Sequence, residues 1–200
     1  MIWLKVSGIS GVIAPIVAFT LILVAIVYSP SFSWTENALS DLGVQEGVTA
    51  VLFNAGLIIS GVLAILFATG LFMFLKGSLL GRIGALVLVL DAFALTAIGV
   101  FPENVKPTHF YASVAFFVFF PISMFFLGAA FLRTSKTKLG FFTLIVAIVT
   151  AIVWAIPFGK GVAIPETISG LSASTWAIVL GLKMLHTHGK FINYISSEHH

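Results

Sequence analysis

Six apolar stretches follow one another along the 200-residue chain, at about 6–28, 48–75, 83–101, 109–132, 139–158 and 166–186. A helix that crosses the hydrocarbon of a bilayer needs about 20 predominantly apolar residues, and each stretch is of that order. No water is present there to satisfy backbone polar groups, so each stretch must close its hydrogen bonds within itself, as a helix. The apolar residues run continuously instead of alternating, which excludes a membrane β-barrel. The breaks hold most of the charges, prolines and loop glycines. The fold class expected is all-α integral membrane: one six-helix domain over residues 1–190, with 191–200 as a tail. The first stretch exceeds the 7–15 apolar residues or so of a signal peptide and runs to Ser29-Pro30, so it reads as a retained span. The closing His199-His200 reads as the start of a truncated purification tag and carries no functional weight.

Composition agrees. Only 8% of residues are charged, against roughly 25% in ordinary soluble domains. That is too little to cover a globule in water. A soluble enzyme and a disordered chain are excluded. So is a nucleic-acid partner, because ten basic residues thinly spread make no basic stripe. With no cysteine there is no disulfide, iron–sulfur cluster or thiolate metal site.

The basic residues set an orientation. Lys5, Lys76, Arg82, Arg133, Lys136, Lys138, Lys183 and Lys190 fall at one set of helix ends; only Lys106 and Lys160 fall at the other. Both termini are therefore expected in the cytoplasm, in a multi-pass plasma-membrane protein. The loops 29–47, 102–108 and 159–165 then face outward, and Trp34 and Trp154 suit an outer aromatic belt. The acids segregate too. Glu36, Asp41, Glu46, Glu103 and Glu166 lie at or near the outer ends, and Glu198 lies in the tail.

Asp91 alone sits in mid-span, within Val-Leu-Val-Leu-Asp-Ala-Phe-Ala-Leu. An ionised carboxylate costs a few kcal/mol even on insertion scales, and no Lys or Arg lies at its depth in any other span. It is expected to be protonated, hydrated or hydrogen-bonded across helices, with Ser60, Ser123, Thr150 and Thr175 as depth-matched partners. It is either a functional carboxyl group or a neutral acid that holds helices together.

The 29–47 loop is longer than the 2–8 residues or so typical of helix–helix connections, and Phe32, Trp34, Leu39 and Leu42 let it pack. A short interfacial helix is expected over 35–42, with Thr35 as N-cap and Gly43 as C-cap. Ser40 and Asp41 fall near its end. Asn54 follows within the second span and needs a partner if buried. Glu103 and His109 are held by a short loop with two prolines, and Glu166 opens the sixth span. Ser40, Asp41 and His109 are candidate catalytic residues, with Asp41 orienting His109 and His109 activating Ser40 or a water. Asp91, Asn54, Glu103 and Glu166 are candidate ligand-binding residues. The phenylalanine-rich fourth span reads as lipid-facing, with an apolar ligand groove as the alternative. Gly56, Ser60 and Gly61 would allow close helix contact, including pairing into a homo-oligomer.

The pattern Asn37-x-x-Ser40-Asp41-Leu42-Gly43, Phe53-Asn54-x-Gly56-Leu57-Ile58-x-Ser60-Gly61, Phe101-Pro102-Glu103 and His109 resembles a family of small archaeal and bacterial multi-span membrane proteins catalogued only as a domain of unknown function. The resemblance covers roughly residues 8–185. It implies a six-helix membrane fold and no particular reaction. Ser40, Asp41 and His109 also mimic part of the Ser, Asp and three-histidine zinc set of alkaline-ceramidase-like membrane hydrolases. However, His186 and His188 belong to the opposite end, about 30 Å away, so no metal or other cofactor is expected.

Three functions are open at this point. The first is an outward-facing polar pocket that binds, or binds and processes, a small molecule or a lipid headgroup. The second is a proton-coupled transporter using Asp91. The third is a structural or assembly subunit without a ligand.

Overall fold

The computed structural model describes the backbone of residues 2–198 and the side chains of residues 2–189; the tag reading of His199-His200 lies outside them. Six α-helices account for most of the chain: α1 Ile2–Val27, α2 Val48–Phe74, α3 Leu79–Val100, α4 Thr108–Arg133, α5 Thr137–Ile152 and α6 Ala163–Glu198. A 3-10 turn, Val153–Ala155, prolongs α5. All six spans are long and apolar enough to cross a membrane. The chain is a multi-pass membrane protein.

Each helix packs on its neighbour in sequence, and α6 returns to pack on α1. The bundle is therefore a closed ring whose thinnest seam lies between α5 and α6. Small residues set the closest approaches, as packing between membrane helices requires. A Cβ on Gly8 of α1 would lie 2.9 Å from the carbonyl oxygen of Gly181 on α6, and one on Gly181 would lie 2.7 Å from that of Gly8. Gly56 and Gly61 are used in the same way, against Leu21 of α1 and Thr96 of α3. Ser60 donates to the carbonyl of Ala14 at 3.0 Å. The residues singled out for pairing between subunits are thus engaged inside one bundle.

Helix starts differ from the apolar boundaries, most of all in α1 and α3. α1 begins at Ile2, because Trp3 and Lys5 continue the helix below its apolar stretch. α3 begins at Leu79, because Ser78 caps it by accepting from Gly81 N at 3.1 Å. α6 extends well past 186, to Glu198. Loss of hydropathy ends a membrane span there without ending the helix. Pro15 and Pro121 both lie within helices, where each removes one intrahelical donor.

The core has two parts. Near the basic helix ends Phe67, Leu71, Met124, Leu127, Phe131, Trp176, Leu180 and Met184 pack into one cluster. Near the opposite ends Ile22, Leu39, Leu42, Phe53, Leu57, Ile98 and Ala163 form the second.

Candidate functional site

The segment between α1 and α2 folds back over the ring. It contains a 3-10 helix at Leu39–Val44, shorter and later than the turn expected over 35–42. The cap is at Ala38, not Thr35, and Gly43 lies inside the helix rather than ending it. Asp41 explains the shift. Its Oδ2 accepts from Asn37 Nδ2 at 2.7 Å and from the backbone N–H of Ala38 at 3.0 Å. One carboxylate thereby closes the turn from within.

Four further ties hold this segment down. Ser40 Oγ donates to Glu103 Oε2 at 3.1 Å, across to the α3–α4 loop. The N–H of Leu39 donates to Glu166 Oε2 at 2.5 Å, in the first turn of α6. Asn54 Nδ2 donates to the carbonyl of Gly43 at 2.9 Å. The N–H groups of Gly161 and Ala163 donate to the carbonyls of Thr35 and Asn37 at 2.8 and 2.9 Å, so the α5–α6 loop pairs with the same segment. That pairing requires Gly159 and Gly161: a Cβ on either would run into the backbone of Thr35 or of Glu36 and Asn37.

The candidate residues separate accordingly. Ser40 meets Glu103, and Leu39 meets Glu166, but no hydrogen bond among the described residues joins Asp41 to His109 or His109 to Ser40. His109 is buried, and its Nδ1 lies 2.8 Å from the carbonyl oxygen of Phe101. A carbonyl only accepts, so Nδ1 is the donor in this contact. Asn54 anchors the turn to α2, and its Oδ1 is buried without a partner.

Beneath the segment lies a cavity of about 160 Å³. Residues of α1, α2, α3, α4 and α6 line it, and the 3-10 helix contributes Leu39 and Ser40. The wall is mainly apolar, which differs from the polar pocket expected. Among the lining residues Asp91 and Glu166 are the only ionisable ones, and Ser40, Ser60, Ser113 and Ser174 supply hydroxyls. Asp41, Asn54, Glu103 and His109 do not line it. The fourth span divides its phenylalanines: Phe116, Phe117 and Phe120 line the cavity, Phe110 and Phe125 face outward, and Phe131 is fully buried in the core.

At 1.5 Å per residue, Glu166 lies about 5 Å below the start of α6 and Asp91 about 13 Å below the end of α3. The cavity therefore runs from the capped ends of the helices to mid-span. Asp91 is 4% exposed, and no donor among the described residues reaches its Oδ1. The four hydroxyls expected as partners bond elsewhere: Ser60 to Ala14, Ser123 to Gly84, Thr150 to Val146 and Thr175 to Leu171, each at a backbone carbonyl. Asp91 as a bonded link between helices is thus not what the structure contains.

Sequence reasoning passed over Trp176. It is fully buried, lines the cavity, and donates from Nε1 to Thr143 Oγ1 at 3.0 Å. Its ring meets those of Phe67 and Phe120 edge-on, with centroids 5.9 and 6.4 Å away. The signal was present: a tryptophan in mid-span, away from the interfacial belts, needs a partner for its indole N–H.

The family model for DUF998, described as a protein of unknown function, matches residues 12–183. The chain belongs to this family. The DUF998 match spans the six helices and the capping segment, from the first half of α1 to the last part of the sixth span. No curated protein and no solved structure matches the chain.

Proposed function

We propose that this DUF998 protein binds a small amphipathic molecule in the cavity under its capping segment, in a plasma membrane, with the cap outward and both termini in the cytoplasm. The cavity is the observation that carries this reading. A bundle built only for assembly gains by filling its interior, since each void forfeits packing contacts. Here the void coincides with the mid-span carboxyl group of Asp91, whose Oδ1 has no hydrogen-bond partner among the described residues. The segregation of basic residues to the other helix ends supports the orientation.

The geometry favours binding over hydrolysis. Asp41 is engaged in its own turn, Ser40 in its bond to Glu103, and His109 in its bond to Phe101. Asp41 and Ser40 fasten the cap, and His109 braces the α3–α4 loop. Glu166 serves both sides, as acceptor for Leu39 and as part of the cavity wall. The packed cluster around Leu127, Trp176, Leu180 and Met184 fills the bundle toward the basic ends. That sealed half supports binding from one side over proton-coupled transport through Asp91.

The test is to purify the wild-type protein and Ala173→Phe, a variant that places a ring in the cavity, then extract both and compare retained molecules by mass spectrometry. A molecule held near one per chain by wild type and lost by Ala173→Phe is expected. Identical retention by the two proteins would contradict the reading.

A further inference from the structure

The chemistry left unsatisfied in the cavity indicates what its occupant must bring. Two carboxyl groups line the wall, and no Lys, Arg or His does. Of the four serines, Ser40 and Ser60 already donate their protons, to Glu103 and to the Ala14 carbonyl. Asp91 Oδ1 is buried and receives nothing. Ser113 and Ser174 add two neutral hydroxyls, so the strongest polar groups on the wall are the two carboxyls. An anionic ligand, such as a phosphate or a fatty carboxylate, would meet two acids and no cation.

We infer that the occupant is a protonated amine with a compact apolar body. Its ammonium group sits against Asp91, and its body rests on Phe67, Phe120 and Trp176. An ammonium supplies three donors and a positive charge, where a buried acid left alone is costly. The aromatic floor lies near enough for a body of one ring, because Trp176 is only about 6 Å deeper than Asp91 by helix rise. Edge-on packing around Trp176 also gives the cavity apolar walls. This inference rests on the cavity binding a ligand at all, and it adds the ligand's class.

The experiment uses para-bromophenethylamine and its neutral counterpart para-bromophenethyl alcohol, because bromine quenches tryptophan fluorescence on contact. The full chain is placed in phosphatidylcholine nanodiscs, with Trp3, Trp34 and Trp154 each replaced by Phe. All three are exposed, and Trp176 is then the single tryptophan of the four in the sequence. The amine is expected to quench Trp176 at a concentration about tenfold or more below that of the alcohol, the ratio expected of one charged contact. Asp91→Asn should erase the difference by weakening the amine and leaving the alcohol unchanged. Equal quenching by the two probes in the protein with native Asp91 would overturn the amine inference while leaving the cavity as a binding site. So would an amine preference that survives Asp91→Asn. Quenching by neither probe would overturn the cavity reading and this inference with it. The first comparison needs no change at Asp91, so failure of Asp91→Asn to fold leaves a decisive result.

Discussion

Gly161 shows how much can hang on one missing side chain. Its N–H reaches the Thr35 carbonyl at 2.8 Å only because nothing projects from its Cα toward Glu36 and Asn37. A methyl group there must push two backbone segments apart. Gly161→Ala is expected to destabilise the protein by about 1–3 kcal/mol, the usual range for overpacking. Gly77→Ala, at a site with open space around it, should leave the melting temperature unchanged. Thermal unfolding in detergent checks both; equal melting temperatures for the two variants would show that the loop pairing is slack. Residue-scale legibility was uneven. Asp91 stood out because a charge in hydrocarbon is conspicuous against 8% charged residues. Gly159 and Gly161 did not, because a glycine required by another loop looks like any loop glycine until that loop is in place. Asp41 reads in sequence as an acid beside a serine, a pattern that suggests catalysis, and in the structure its oxygen closes a turn.

At the scale of elements, the capping segment is held by side chains from three places: Glu103 in the α3–α4 loop, Asn54 on α2 and Glu166 on α6. Such a segment opens with a lower free energy than a packed helix, and each tie contributes to keeping it closed. Ser40→Ala combined with Glu166→Ala removes two of them. Amide exchange over residues 39–44 is expected to accelerate by at least about tenfold, one lost contact of about 1.4 kcal/mol being enough for that factor, while exchange in α2 stays slow. Acceleration spread equally through α2 would mean that the cap does not open as a separate unit. The spans themselves were legible because each is apolar from end to end, and that pattern needs no partner to be read. The ends were less so. Ser78 marks the start of α3 by an ordinary capping rule, but α6 passes out of apolar sequence while remaining helical. Hydropathy reports the solvent of a helix and not its length.

For the molecule as a whole, six helices close a ring around a space that the sequence did not reveal. A cavity is the difference between side-chain volume and the room the helices leave, and no pattern along one chain records that difference. Both ionisable groups that line it, Asp91 and Glu166, were legible in the sequence, whereas the rest read as polar and the wall is mainly apolar. A buried carboxyl faces a preformed space, beneath a cap fastened from three sides. The most direct measurement is an experimental density map of the wild-type protein in lipid, at a resolution that shows bound molecules. The expected result is compact density between Ser40 and Trp176, with a polar end within hydrogen-bond distance of Asp91. A collapsed interior, with Asp91 bonded to a neighbouring hydroxyl, would contradict it.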